Sequence, residues 1–144
     1  MNNPLPISGL ELLRNYIEDG TWSAMSELMS MQVIAASDGS ATIEAFPSEK
    51  YYNPQMRVHG GYAATLIDTA LGCAVQTKFD SNVGFGTIEL KVNYVRKLVA
   101  ETGRLLCVGT IIHAGRTMVT AEAKVAGPDG KLYAHGSGTF LVYP

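Results

Sequence analysis

Residues 59–77 predict a helix that has no polar face. The segment HGGYAATLIDTALGCAVQT carries apolar side chains on every side of a helical period. A helix of that kind is either buried in a protein core or spans a membrane. This one is short and is interrupted by Gly, Thr and Asp, which is not typical of a lipid-spanning helix. We therefore expect a central helix with the rest of the chain wrapped around it.

The other segments predict one more helix and six strands. Residues 8–19 have the period of an amphipathic helix that Ser8 caps and Gly20 ends. Alternating side chains around the turn signal Asp38-Gly39 predict strand, turn and strand between residues 27 and 47. Further strands are predicted at 84–95, 103–113, 117–126 and 131–142. This order favours an α+β fold, with one long, curved antiparallel sheet wrapped around the central helix.

Length and composition exclude several classes of protein. The 144 residues, 47% of them hydrophobic, fit one folded domain over residues 1–144 and exclude intrinsic disorder. A net charge of −2 argues against nucleic-acid binding by bulk positive charge. Cys73 and Cys107 are too few for a disulfide scaffold, so we expect both to be reduced and buried. The initial MNNPLPISG lacks the features of a signal peptide, and we expect a soluble, cytoplasmic protein without a membrane segment.

One carboxylate interrupts the apolar helix. Asp68 is the only Asp, Glu, Lys or Arg between Val58 and Thr77. Burial of an ionised carboxylate without partners is costly. Asp68 could face a solvated edge or accept hydrogen bonds from backbone amides. The functional alternative is a carboxylate kept for acid–base chemistry in a largely apolar cleft.

The start of the same helix carries a second group of functional type. His59-Gly60-Gly61 would place unpaired backbone N–H groups and the positive end of the helix dipole where glycines admit a ligand. Such donors can polarise a carbonyl, although a tight turn capped by His59 explains the same residues. Gly60 and Asp68 lie about 12 Å apart along the axis. A site that uses both therefore needs two chains with antiparallel central helices, as in a two-fold dimer.

These residues resemble a motif of the hotdog-fold acyl-CoA thioesterases, in the PaaI-like or phenylacetyl-CoA thioesterase family. The matching run is Asn53-x5-His59-Gly60-Gly61-x6-Asp68, followed by Thr87 in the next predicted strand. The element order is similar over nearly the whole chain. The resemblance implies a hydrolase that cleaves acyl-CoA to a free acid and CoA without a metal or other cofactor. It also implies a homodimer and, by analogy with relatives, a homotetramer.

The resemblance also implies a role for each matching residue. The Gly60 N–H would donate to the thioester carbonyl oxygen, and His59 would shape that end of the site. Asp68 of the other chain would act as general base towards water or as nucleophile, and the sequence leaves both routes open. Thr87 would bond to the water or to the carboxylate. Asn53 would help to place the water or the thioester, although it could also be an ordinary turn residue.

Substrate-binding residues are predicted in two groups. An aromatic or medium-chain acyl group would lie against the first turns of the central helix, at Gly61, Tyr62, Leu66 and Ile67. The phosphates of CoA would need basic residues at an entrance. The chain offers Arg96, Lys97, Arg104 and Arg116, of which Arg116 is the first choice. Each of these cations could also be an ordinary surface charge. The sequence does not distinguish CoA from an acyl carrier protein as the carrier.

Two other functions remain open at this point. A hotdog hydratase or dehydratase would need a second acid–base group around a β-hydroxyacyl chain, and none is evident beside Asp68. A non-catalytic acyl-CoA or small-ligand binding protein would have little reason to keep a carboxylate in the apolar helix. His113 and His135 lack metal-ligand spacing and are expected to be structural.

Overall fold

A computed structural model describes residues 5–143, so residues 1–4, which were part of the segment assessed for a signal peptide, lie outside it. The helices are α1 (Gly9–Asp19), α2 (Ala24–Leu28) and α3 (Gly60–Gln76). The strands are β1 (Met31–Ser37), β2 (Ser40–Ala45), β3 (Gly84–Tyr94), β4 (Leu105–Ala114), β5 (Met118–Ala126) and β6 (Leu132–Tyr143). Within the described part, no helix is long and apolar enough to cross a bilayer.

All six strands belong to one antiparallel sheet, in the spatial order β1-β2-β4-β5-β6-β3. The alternation predicted along β5 is confirmed, because one of its faces is buried in the core: Val119, Ala121, Ala123 and Val125. Register shifts in β1, β3, β4 and β5 interrupt the ladder, and bulges of this kind bend and twist a sheet. The sheet ends at β1 on one side and at β3 on the other.

The helix α3 is central, as predicted, and contacts all six strands. Nine of its residues are buried, and they include Leu66, Ile67 and Leu71 with no exposed surface. Glycines on the facing strands allow this close approach. A Cβ at Gly109 would lie 2.3 Å from the Ala70 carbonyl oxygen, and one at Gly138 would lie 3.0 Å from Leu71 Cδ1. The predicted α+β arrangement of a long antiparallel sheet around a helix is confirmed.

The helix α1 begins and ends as the sequence predicts. The Ser8 hydroxyl accepts from the Glu11 N–H at 3.1 Å, and Gly20 has the left-handed conformation of a helix C-cap, with φ of 64°. Gly9 packs against the far end of α3, where a Cβ would fall 1.9 Å from the Gln76 carbonyl oxygen. The segment from α1 to α2 thereby lies over the part of α3 that contains Asp68.

The strand predicted from residue 27 begins later. Residues 24–28 form α2, whose Ser23 cap accepts from the Ser26 N–H at 3.2 Å, and β1 starts only at Met31. Ser30 has a positive φ of 54° and separates the two elements. Alternation of side chains at Met29 and Met31 therefore did not mark one continuous strand, because a local cap and a left-handed residue intervene.

Candidate active site

Asp68 lies in the middle of α3 and accepts a hydrogen bond from Thr87. The Thr87 hydroxyl donates to Asp68 Oδ1 at 2.9 Å across the gap between α3 and β3. The Asp68 side chain is partly exposed, so the carboxylate is held in position without being sealed from solvent. A carboxylate in this state can take a proton from a bound water or attack an electrophile.

A bulge in β3 follows Thr87 directly. Thr87 pairs with the buried Phe140 of β6, whereas the next paired residue, Glu89, lies opposite Thr139. Ile88 is the extra residue, and its side chain is 55% exposed. Bulges next to active sites commonly change the direction of a side chain. Here the bulge allows Thr87 to face α3 while the strand beyond it keeps its alternation.

Asp68 and Thr87 border a cavity of about 400 Å³, which we call the Asp68 cavity. Its wall is formed by α1, the segment around α2, one face of α3 and the start of β3. Most of the side chains around it are apolar, among them Leu12, Leu13, Tyr16, Trp22, Met25, Met31, Phe85 and Phe140. Two edge-to-face aromatic pairs lie in this wall: Tyr16 with Trp22 and Phe85 with Phe140. The cavity can therefore hold an apolar group beside a carboxylate.

The first turn of α3 leaves one backbone donor free. His59 caps the helix, and its Nδ1 accepts from the Gly61 N–H at 2.9 Å. The Gly61 N–H is thus already used. Within residues 5–143, the Gly60 N–H has no acceptor. It lies at the positive end of a 17-residue helix, and donors at such a position can stabilise an oxyanion.

Tyr94 supports this turn and was not identified from the sequence. Its hydroxyl donates to the Gly60 carbonyl oxygen at 3.0 Å, and its ring lies so close that a Cβ at Gly60 would be 3.1 Å from Tyr94 Cζ. Tyr94 ends β3, whereas Thr87 lies near the middle of that strand. No local pattern links a strand tyrosine to a glycine 34 residues earlier, so only the fold could reveal it.

Asn53 shapes the loop that precedes α3. Its Oδ1 accepts from the Gln55 N–H at 2.9 Å and from the Arg57 N–H at 3.3 Å, which is the turn geometry that its sequence position allowed. Asn53 borders a second cavity of about 300 Å³, which we call the His59 cavity because it also contains His59 and Gly60. The two cavities share no residue.

The His59 cavity is rich in positive charge. Arg57, Arg96 and Lys97 line it, and no Asp or Glu does. None of these three cations forms an ion pair within the described part of the chain. Arg96 is anchored by a bond from Nη1 to the Leu132 carbonyl oxygen at 3.0 Å. Arg57 was not among the residues predicted from the sequence, because a single exposed arginine in a loop carries no distinguishing pattern.

The side chains predicted to bind the acyl group are buried in this chain. Tyr62, Leu66 and Ile67 lie in the core, with exposed fractions of 2%, 0% and 0%, and border neither the Asp68 cavity nor the His59 cavity. Burial raises the pKa of the Tyr62 hydroxyl, and the nearby Tyr51 adds to this rise. These residues are on the face of α3 that meets the sheet. The apolar wall near Asp68 comes instead from α1, α2 and β3, which a local pattern could not connect to α3.

Arg116 is at the other end of β3 from Arg96 and Lys97. It lies in the turn between β4 and β5, where the Thr117 carbonyl oxygen accepts from the Val142 N–H at 2.9 Å, and Val142 pairs with Phe85 near the start of β3. Cys73 and Cys107 are free and buried, and burial raises the pKa of Cys73 to about 12. Among residues 5–143, no group of three or more His, Cys, Asp or Glu side chains could hold a metal ion.

The comparisons with known proteins agree on one family. Residues 56–134 match the family model described as "Thioesterase superfamily". A Halobacterium salinarum protein, "Putative esterase VNG_1336C", is 32% identical over 143 residues that cover 92% of this chain and 91% of that protein. Conserved protein PA5202 from Pseudomonas aeruginosa is 34% identical with a TM-score of 0.79, over 87% of this chain and 98% of that one. PaaI from the E. coli phenylacetic acid degradation operon shares the fold at 16% identity, with a TM-score of 0.80 over 94% of each chain.

Proposed function

This chain belongs to the thioesterase superfamily and is a thioester hydrolase of the hotdog fold, and from this premise we propose that it hydrolyses acyl-CoA at a site shared by two protomers. The observation that carries the proposal is the Asp68–Thr87 hydrogen bond of 2.9 Å beside an apolar cavity of about 400 Å³. The apolar cavity would hold the acyl group, which is aromatic or of medium length. No metal or other cofactor takes part in the proposed reaction.

In the proposed reaction, water attacks the thioester carbonyl carbon. The Asp68 carboxylate takes a proton from that water, and the bond between the carbonyl carbon and sulfur breaks. CoA leaves as a thiolate, which then takes a proton. Thr87 keeps the carboxylate oriented through its donated bond. Direct attack by Asp68, to give a transient anhydride that water cleaves, uses the same geometry and yields the same products.

The negative charge that develops on the carbonyl oxygen needs a donor, and we assign it to Gly60 of a second protomer. On one chain, Asp68 and Gly60 border different cavities and lie about 12 Å apart along α3. Thr87 contacts Asp68 and Tyr94 contacts Gly60, so α3 and β3 run in opposite directions. Antiparallel pairing of β3 with a second β3 would bring Thr87 of one protomer towards Tyr94 of the other.

The exposed edge of β3 supports this pairing. Among residues 5–143, β3 pairs only with β6, so its other edge presents an unpaired row of backbone groups over 11 residues. A long edge strand of this kind is a template for pairing with another chain. Ile88 and Tyr94 on this strand are 55% and 58% exposed. A two-fold dimer through β3 would cover this edge and create two equivalent sites, and a tetramer of two such dimers remains our proposal by analogy.

CoA would enter from the cationic end of the site. Arg96 and Lys97 line the His59 cavity without a facing carboxylate, which is a setting that attracts phosphate groups. Arg116 lies at the opposite end of β3, so the antiparallel dimer would bring it towards these two cations from the partner protomer. The phosphates of CoA, rather than a large acidic carrier protein, match this small group of cations in a chain of net charge −2.

The central experiment compares wild type with Asp68→Asn on a panel of acyl-CoA thioesters, with a thiol reagent to detect released CoA. Asparagine keeps the size of the side chain but cannot take the proton, so we expect kcat to fall by about two to four orders of magnitude. Because burial raises the pKa of Cys73 to about 12, the thiols of the folded protein should add little to the signal.

Asp19→Asn is the matched control, because Asp19 is exposed at the end of α1 and borders neither cavity. It should keep wild-type activity, and circular dichroism should show that both variants are folded. Full activity of Asp68→Asn would exclude the proposed mechanism. A wild-type protein that cleaves no acyl-CoA of the panel would exclude acyl-CoA as the substrate.

A further inference from the structure

Gly72 lies in the interior of α3, one turn after Asp68, and borders the Asp68 cavity. Among residues 5–143, a Cβ built at this position meets no atom within 4 Å outside its immediate neighbours and the helix backbone. Residues four apart in a helix share a face. The hydrogen of Gly72 is therefore directed into open space on the same side of α3 as the Asp68 carboxylate.

Within the described part of the chain, no contact and no backbone angle requires glycine at this position. Gly109 and Gly138 are needed because a Cβ there would press on α3, and Gly20 is needed because its φ is positive. Gly72 has neither a close neighbour nor a positive φ. Glycine destabilises a helix interior relative to alanine, so this choice works against the stability of α3. Glycine at position 72 leaves space beside the Asp68 carboxylate.

An aromatic side chain lies across this space. Phe85 is two residues before Thr87, so both face the same side of β3, about 6.6 Å apart. Gly72 lies about 6 Å beyond Asp68 along the axis of α3. Because α3 and β3 are antiparallel, the step from Asp68 to Gly72 runs in the same direction as the step from Thr87 to Phe85. Since Thr87 contacts Asp68, the matched spacing sets Phe85 opposite Gly72. Both border the Asp68 cavity, and Phe85 is held edge-to-face against Phe140.

We propose that Gly72 determines acyl specificity, by leaving a slot against Phe85 that accepts a planar aromatic ring attached close to the thioester. This proposal rests on the proposed function, because it takes Asp68 as the position of the reacting carbonyl. One side of the slot is the helix backbone at Gly72, which carries no side chain. The other side is the Phe85 ring, which can contact the acyl ring by stacking or edge-to-face. A side chain at position 72 would fill the slot and leave room only for a small acyl group.

The test compares wild type, Gly72→Ala and Gly72→Leu with benzoyl-CoA and acetyl-CoA. Alanine and leucine are both better helix formers than glycine, so thermal unfolding should occur at the wild-type temperature or above. We expect Gly72→Leu to lower kcat/KM for benzoyl-CoA by about tenfold to a hundredfold relative to acetyl-CoA, with Gly72→Ala in between. Equal losses for both thioesters, or no loss for either, would overturn the proposal.

A binding measurement separates this proposal from the hydrolytic function. Trp22 is the only tryptophan and borders the Asp68 cavity, so its fluorescence can report benzoate binding without any reaction. We expect wild type to bind benzoate and Gly72→Leu to bind it at least about tenfold more weakly. If wild type binds benzoate in this way but cleaves no thioester, the proposed function fails while the slot is supported. Equal benzoate affinity of the two proteins would overturn the slot.

Discussion

Within the part of the chain that the structure describes, Gly60 has an unpaired backbone N–H, and it lies at a position where proline is tolerated. It is the first residue of α3, so its N–H is not needed by the helix, and within the described chain nothing accepts from it. The residue before it, His59, has φ of −58° and ψ of 139°. This is the extended conformation that precedes proline, and proline is well tolerated at the first position of a helix. The N–H can therefore be removed by substitution without breaking α3.

We predict that Gly60→Pro lowers kcat by about 10²- to 10³-fold, the usual effect of removing one oxyanion donor. Gly60→Ala is the matched control, because it adds a Cβ at the same point but keeps the N–H. That Cβ would meet the ring of Tyr94 at 3.1 Å, and Tyr94 is exposed enough to move by a few tenths of an ångström. Steady-state kinetics with one thioester would measure kcat for both variants. Equal losses in the two variants would show that the added carbon, not the missing donor, matters.

At the level of single residues, the sequence could indicate Asp68 because a lone charge in an apolar helix is a local anomaly. It could also indicate that His59 caps α3, since capping is local. It could not identify Tyr94, because that contact joins residues 34 positions apart. For a related reason it could not show that Tyr62 borders neither cavity. Tyr62 is apolar and near the motif, but the face of α3 that it occupies is settled by which strands pack there.

At the level of elements, the distance between α3 and the sheet depends on glycines. Gly109 of β4 faces the backbone of α3, where a Cβ would lie 2.3 Å from the Ala70 carbonyl oxygen and 2.6 Å from its carbonyl carbon. Backbone atoms in a helix cannot move aside as a flexible side chain can. Gly109 and Gly72 therefore differ in the space around them. Packing requires glycine at position 109, whereas position 72 has room for a side chain.

We predict that Gly109→Ala destabilises the protein by about 1–3 kcal/mol, because it overpacks the interface between β4 and α3. Gly72→Ala should stabilise it by about 0.5–1 kcal/mol, because alanine favours the helix and meets no neighbour. Urea unfolding at one fixed chain concentration would measure both differences. A destabilised Gly72→Ala would contradict the open space at that position.

The order of the elements was predicted from the periodic spacing of hydrophobic residues. This prediction is confirmed for the elements that have a long buried face. The central helix and the strands β4, β5 and β6 are of this kind, whereas β3 was predicted although none of its residues is buried. The α2 segment escaped notice, because five residues offer too little period to outweigh the alternation around Met29 and Met31. The bulge after Thr87 was also beyond the sequence, because it depends on the register between β3 and β6.

At the level of the whole molecule, the proposed function means that one chain holds two incomplete halves of a site. The Asp68 cavity has the carboxylate and an apolar wall, and the His59 cavity has the free N–H and the cations. Both are attached to β3, one through Thr87 and one through Tyr94. Because β3 is an edge strand, a second copy could pair with it in antiparallel orientation. The Asp68 cavity of each protomer would then meet the His59 cavity of the other, which would give two sites. The sequence could suggest this only through the spacing of Gly60 and Asp68.

We predict that two inactive variants restore each other when they are combined in one dimer. Asp68→Asn and Gly60→Pro chains, co-expressed with different tags and purified through both, would form heterodimers in which one site carries both defects and the other carries neither. Such heterodimers should recover about half of the wild-type kcat per dimer, whereas each variant alone stays inactive. If Asp68 and Gly60 of one chain formed the site, both sites of the heterodimer would be defective and no activity would return. Light scattering on the same preparation provides the second measurement, since a protein that is monomeric at assay concentration would rule out the shared site.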